Sequence, residues 1–448
     1  MIGGAASGRD DTVHGTVHWD NNGSYSYRGG KQTLPSSTKL ADNFQPTIGF
    51  VMVIQPKIRG FICTNAHPVG CAAHVQEQID YVKAKGPVAG GPKNVLVIGA
   101  STGYGLASRI TSAFASGAKT LGIFFEKEPT EGKTASAGWY NTAAFEQAAD
   151  AAGLWNKHLN GDAFTDELKA QAIDIIRSEM GKIDLVVYSL AAPRRKDPVS
   201  GEVFSSVLKP IGQAYTARTL NTSKREIEEV SVEPANDDEI YQTVKVMGGE
   251  DWERWLDQLD AAGVLADNCQ TVAYTYIGKE LTWPIYGKAT IGKAKEDLDR
   301  AAAAITAKLD SKKGKAYVAS LKALVTQASS AIPIMPLYIS LLYRVMKAEG
   351  SHEGCIEQIN GLFRQGLYSA TPILDDAGRL RMDGKELSEH IQQAVKDLWG
   401  QVTTDTIDTL TDYKGYHNEF LRLFGFGYSH VDYDADVSPM VPLRHIAG

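Results

Sequence analysis

Beyond residue 93, short unbroken apolar runs alternate with longer stretches in which apolar residues recur every three or four positions. Val95–Ile98 is a run of strand length, and Tyr104–Ala115 carries apolar residues at helical spacing. Thr120–Glu126 reads as the next strand. The helical stretch Asp166–Met180 leads into another strand at Ile183–Pro193. Thr271–Gly278 is a further strand, followed after a loop by a long helix over 292–309. A strand without polar alternation is expected where both faces are covered. Strands separated by helices require right-handed crossovers, so the pattern predicts an α/β fold: a doubly wound, mainly parallel sheet with helices on both faces.

Composition narrows this picture. The chain has 448 residues, 43% of them hydrophobic, enough for a large core, and a net charge of -7 that argues against nucleic-acid binding. No stretch offers the roughly 18 consecutive apolar residues of a membrane span, and the most lipid-like run, Ser329–Tyr343, holds two prolines. Cys63, Cys71, Cys269 and Cys355 form no paired motif, which suggests reduced thiols in a cytoplasmic protein and no zinc site. His67 and His352 each lie near a cysteine, but such sparse pairs are commonly core or loop residues, and no metal is assigned. Residues 1–51, rich in Gly, Ser, Asn and Asp, show no persistent period and are expected to form a flexible extension before Met52. The extension matches neither a signal nor a transit peptide.

The segment "VLVIGASTGYGLASR" feeds the first strand into a helix through Gly99, Gly103 and Gly105. The first N–H groups of that helix and its dipole favour an anion, and glycines let a pyrophosphate and neighbouring backbone approach closely. The spacing G-x-x-x-G-x-G resembles the short-chain dehydrogenase/reductase branch of the Rossmann group. Glu126, ending the second strand, is placed to accept hydrogen bonds from the adenosine ribose hydroxyls and to repel a 2′-phosphate, so NADH is expected over NADPH. Glu128 is its nearby competitor. Asp162 follows a third strand and is placed for the adenine edge, while Leu190 and Ala191 would pass beneath a cofactor ribose.

Tyr274, Tyr276 and Tyr286 share one segment with Lys279, Lys288, Lys293 and Lys295. A tyrosine hydroxyl that donates to a substrate carbonyl, with a lysine ammonium beside it, is the chemistry of a reductase. Helical phase would pair Tyr286 with Lys293. However, Gly287 and the candidate N-cap Thr290 suggest that the helix starts after the tyrosine, which leaves the lysine open.

The motifs "IGASTGYGLASRI", "AGWYNTAAFE", "LNGDAF", "DLVVYSLAAP", "VKVMGGEDWERW", "YIGKELTWPIY", "LVTQASSAIP", "HEGCIEQ" and "EFLRLFGFG" closely resemble the FabV class of enoyl-acyl-carrier-protein reductases and the monomeric trans-2-enoyl-CoA reductases. The resemblance spans Met52 to about Val437. It implies one enoyl reductase domain over 52–448, with a Rossmann-type core at about 93–335, an enlarged substrate-binding portion and a C-terminal helical portion. It also implies Tyr286 and Lys295, with eight residues between them as in the family pattern, as catalytic, assisted by Tyr276, a second catalytic tyrosine that contacts substrate. The implied NADH site comprises Gly99, Ala100, Ser101, Thr102, Gly103, Tyr104, Phe125, Glu126, Asp162, Ala163, Leu190, Ala191, Lys295, Leu324, Val325 and Thr326. The family's usual glycine is replaced by Ala289.

The expected activity is NADH-dependent reduction of the trans-2 double bond of an enoyl thioester, on acyl carrier protein or CoA, by a cytoplasmic monomer. Ile334, Met335, Leu337 and Ile339 are candidates for an acyl slot, with core packing the plainer reading. Arg194, Arg195 and Lys196 are candidates for meeting an acidic carrier protein or CoA phosphates, against a solvated basic loop. Rival readings are a short-chain carbonyl reductase, which would space Tyr and Lys by three residues, and a non-catalytic NAD-binding sensor, which would need no such pair.

Overall fold

A computed structural model describes residues 50–60 and 62–447. The expected extension over 1–51 lies outside them, except for its last two residues.

Eight strands build one sheet: β1 (Asn94–Ile98), β2 (Lys119–Phe124), β3 (Asn156–Asn160), β4 (Ile183–Tyr188), β5 (Leu265–Thr275), β6 (Lys315–Ser320), β7 (Leu380–Arg381) and β8 (Ile446–Ala447). Their order is β7-β6-β5-β4-β1-β2-β3-β8. Every neighbouring pair is parallel. The order reverses between β1 and β4, and a ligand crevice opens at such a point beyond the strands' carboxyl ends.

The unbroken apolar runs follow from burial on both sides. Successive side chains of β1 point to opposite faces. Val95 and Val97 pack with residues of α1 (Pro68–Ala84), α2 (Gly103–Ser116) and α3 (Ala137–Ala151). Leu96 and Ile98 pack on the other side with residues of α4 (Asp166–Ile175), α5 (Glu250–Ala261) and α6 (Thr290–Lys308). A third apolar cluster gathers α7 (Met335–Ala348), α8 (Glu389–Gln401) and α9 (Tyr413–Arg422).

Several boundaries differ from the sequence reading. The second strand ends at Phe124, which leaves Phe125 and Glu126 in the loop beyond it. The fifth starts at Leu265 and stops at Thr275, one residue before Tyr276. The helix expected to Met180 widens into a π turn over Ile176–Met180, closed by Gly181 at φ +86°. The edge strands β7 and β8, of two residues each, have no period to read. The antiparallel hairpins Tyr215–Asn221 with Glu226–Val232 and Arg194–Lys196 with Val203–Ser205 were likewise not expected.

The glycine turn is set by close packing. A Cβ on Gly99, which has φ +85°, would lie 1.9 Å from the Ser189 carbonyl oxygen, and one on Gly105 would lie 1.9 Å from that of Gly99. Gly103 has φ +52° but open space around a Cβ. Gly105→Ala should therefore destabilise the fold by about 2 kcal/mol or more through overpacking. Gly103→Ala should cost about 1 kcal/mol from its backbone alone. Urea denaturation of both variants checks the order; equal losses would contradict it.

Candidate active site

The turn places the N-terminus of α2 at the crevice. Its N-cap, Thr102, makes no side-chain capping bond, so the first helical N–H groups face the crevice without that partner. The Tyr104 hydroxyl donates to the Lys322 carbonyl at 2.7 Å, and its ring meets Tyr274 edge-on at 5.9 Å. The glycine turn is thereby tied to the chain leaving β6.

Glu126 and Glu128 are separated by position. Glu128 is exposed. Glu126 turns inward, and its Oε1 accepts a 2.6 Å bond from the Ser101 hydroxyl. Burial raises its pKa, while hydrogen bonds from Ser101 and Ser136 oppose the shift. Gly138 makes room for it, since a Cβ there would lie 2.0 Å from Oε1. Asn160 fixes the Glu126 backbone by accepting from its N–H and donating to its carbonyl. Beside it, the Phe125 ring is 78% exposed, an apolar face with no protein cover.

The remaining expected cofactor residues follow the other strand ends. Asp162 and Ala163 come after β3, where Asp162 accepts from the Phe164 N–H. The Ala163 carbonyl accepts from buried Lys169 and from the Trp255 indole. Leu190, half-buried, and Ala191, exposed, follow β4. Leu324 and Val325, both buried, and half-buried Thr326 follow β6. Ser329 donates to the Leu324 carbonyl, and the Val325 N–H donates to Tyr343.

Tyr276 and Tyr286 meet edge-to-face with ring centroids 4.6 Å apart. Tyr276 lies just beyond β5, and Tyr286 ends the one-turn helix Trp283–Tyr286, which stops at Gly287. α6 begins separately at Thr290, so helical phase does not relate Tyr286 to either lysine. Lys293 points out and pairs with Glu296, both exposed. Lys295 is half-buried, and its ammonium donates to the Tyr274 carbonyl at 3.3 Å. Burial lowers its pKa to about 8, with Asp299 opposing. Burial raises the pKa of Tyr286, as does the charge of Glu386. Among the described residues no group hydrogen-bonds the Tyr286 hydroxyl, whereas that of Tyr276 donates to Glu386 at 2.9 Å.

Three expectations need correction or refinement. The N-cap of α6 is Ala289, not Thr290, whose hydroxyl donates instead to the Val207 carbonyl. Ala289 sits at φ -143°, an extended conformation that alanine adopts freely, so the departure from glycine is tolerated. Arg195 is 1% exposed and bonded to the Lys245 carbonyl and Glu250, so it is not available to a partner, although Arg194 and Lys196 are exposed. Ile334, Met335, Leu337 and Ile339 are buried in the same cluster as Tyr286 and Leu324. His67 caps α1 by accepting from the Gly70 N–H, and the His352 ring packs on Tyr343, so both have structural partners. Glu386, Lys322 and Tyr338 had been assigned nothing. Lys322 and Tyr338 flank the motif "LVTQASSAIP" without belonging to it, Glu386 lies far from it in sequence, and tertiary packing brings the three together beside Tyr276.

A parallel sheet that reverses at β1 and β4, with a glycine turn at one tip and an inward acid at the next, defines a Rossmann-type dinucleotide-binding fold. Its residues fit a nicotinamide dinucleotide: open space at Gly103, helix N–H groups facing it, and a half-buried acid, Glu126, within reach. Family models match the trans-2-enoyl-CoA reductase NAD(P)H binding domain at 53–131 and its catalytic region at 133–368. Curated enoyl-[acyl-carrier-protein] reductases [NADH] from Pseudoalteromonas translucida and Colwellia psychrerythraea are 67% and 68% identical over 88% of this chain and 100% of their own. The trans-2-enoyl-CoA reductase of Treponema denticola, solved in complex with NAD, superposes with a TM-score of 0.84 at 46% identity, over 88% of this chain and 100% of that one. The chain belongs to the trans-2-enoyl-CoA reductase family.

A third model, described as an enoyl reductase FAD binding domain, matches 374–437. The residues there do not fit a flavin. Ile391, Val395, Tyr416 and Phe420 are buried in the core, and Gly425 abuts the His67 and Cys71 backbones. No chemistry is assigned to a flavin.

Gly138→Ala is expected to push the Glu126 carboxylate off Ser101 and weaken NADH binding about tenfold, the scale of one charge-assisted hydrogen bond. Fluorescence titration measures this, with circular dichroism expected to be unchanged. Unaltered affinity would contradict the placement of Glu126.

Proposed function

We propose that this chain is an NADH-dependent reductase that saturates the trans-2 double bond of an enoyl thioester, carried by acyl carrier protein or CoA, in fatty-acid synthesis. The reading is carried by one observation: at the carboxyl end of β5, buried Tyr286 packs edge-on against half-buried Tyr276, and Lys295 donates to the carbonyl of Tyr274, whose ring meets Tyr104 of the glycine turn. Gly99–Tyr104, Phe125, Glu126, Asp162, Ala163, Leu190, Ala191, Lys295 and Leu324–Thr326 would hold NADH, which when bound would supply the hydride that the β-carbon takes up.

Tyr286 serves the substrate. Burial keeps its phenol neutral, so it offers an O–H, and no protein group competes for that hydroxyl among the described residues. It donates to the thioester oxygen as negative charge gathers there. A donor already fixed in a water-poor pocket is worth most where charge develops. Tyr276 lines the same pocket, and its ring supports that of Tyr286. The Lys295 ammonium holds the nicotinamide ribose hydroxyls and adds positive charge to the site. Protonation of the α-carbon completes the reduction.

The proposal extends to a cytoplasmic monomer, in keeping with four free thiols. Exposed Arg194 and Lys196 are the basic groups offered to an acidic carrier protein or to CoA phosphates.

Tyr286→Phe should lower kcat on crotonyl-CoA by about 10² to 10³-fold without unfolding the protein. Turnover near that of the wild type would end the assignment. Lys295 carries its charge below its lowered pKa of about 8 and loses it above. At subsaturating NADH, kcat/KM should therefore hold at lower pH and decline above about pH 8, to a limiting tenfold per unit. A flat profile through pH 9 would contradict a charged Lys295.

A further inference from the structure

We propose that Glu386 is a positioning residue of this active site, one carboxylate holding both the substrate-side Tyr276 and the backbone that leads into the nicotinamide-binding loop. The proposal rests on the enoyl reductase reading and adds to it a residue outside the matched catalytic region, which ends at 368.

Glu386 is completely buried. Its Oε1 accepts from the Tyr276 hydroxyl at 2.9 Å and from the Tyr338 hydroxyl at 2.8 Å. Its Oε2 accepts from the Ala323 N–H at 2.6 Å. Ala323 immediately precedes Leu324–Thr326. Gln392 of α8 donates both to the Glu386 carbonyl and to the Tyr338 hydroxyl, which locks the carboxylate against α7. The charge nearest in kind is Lys322, itself buried and donating to the Ala323 carbonyl.

A buried carboxylate without partners would be costly, so three donors converging on it make a rigid junction. The junction joins the two halves of the reaction: Tyr276 on the side of the thioester, and the loop after β6 on the side of the cofactor. It also divides labour between the tyrosines. The proton of Tyr276 is engaged by Glu386, and its oxygen also lies 3.3 Å from the Thr282 hydroxyl, so the donor left for the thioester oxygen is Tyr286. Misplacing such a pair by about 1 Å can cost on the order of 10² in rate.

Glu386→Gln preserves shape but removes the charge, and with its amide oxygen on the Ala323 N–H its NH2 faces the two phenol oxygens, so both tyrosine bonds must reverse and the Tyr276 proton is released from its acceptor. The expected result is a kcat on crotonyl-CoA lowered about tenfold or more and an NADH Kd, by fluorescence titration, raised several-fold, with a folded circular dichroism spectrum. Tyr338→Phe removes one donor and leaves the other two, so a smaller loss of kcat is expected. A Glu386→Gln enzyme within twofold of wild type in both kcat and NADH Kd would overturn the proposal. Should Glu386→Gln not fold, Tyr338→Phe decides: a lowered kcat at unchanged thermal stability supports the junction, and unchanged kinetics overturn it. If wild-type protein fails to oxidise NADH with crotonyl-CoA, the enoyl reductase reading falls. The NADH titration still judges Glu386 by itself.

Discussion

The crevice depends on one backbone contact: the carbonyl of Gly99 lies where a side chain on Gly105 would begin, and the Ser189 carbonyl lies where one on Gly99 would begin. That double close approach presses the start of α2 onto the ends of β1 and β4. It brings helix N–H groups, rather than side chains, to the sheet's switch point. Glycine has the least bulk of any residue and is the one that permits this spacing. The rest of the site is arranged around the opening that results.

Two further ties keep the opening in register. Tyr104 reaches from α2 to the Lys322 carbonyl, and Glu386 grips the next residue's N–H. The stretch after β6 is thus held from the glycine turn on one side and from the C-terminal region on the other. Tyr276 belongs to the same network through its hydroxyl and to Tyr286 through its ring. A family label that ties residues 374–437 to a flavin obscures this contribution. The segment contributes packing and one carboxylate, Glu386, which bonds Tyr276, Tyr338 and the Ala323 N–H.

Much of the site was legible in the chain because its parts are local. A strand, a glycine turn and a helix follow one another within Val95–Arg109, and Glu126 lies at the next strand's tip. The choice of Lys295 over Lys293 was not legible from spacing, and the resemblance supplied it. The structure gives a physical reason: Tyr286 and Lys295 sit on separate helices with Gly287–Ala289 between them. Glu386, Lys322 and Tyr338 left no local signal, since a glutamate, a lysine and a tyrosine in mixed sequence read as surface or core. Arg195 misled in the opposite sense, because a run of three basic residues gives no hint that the middle one is buried on Glu250. The edge strands β7 and β8 were invisible because two residues have no period.

The central claim is that the Tyr286 hydroxyl, left without a protein partner, is the group that holds the thioester oxygen. A crystal structure with NADH and a saturated acyl thioester tests it most directly. The account predicts the Tyr286 oxygen within hydrogen-bond distance of the thioester oxygen, with Tyr276 still bound to Glu386. A thioester oxygen held by another group, with Tyr286 turned away from it, would contradict the account.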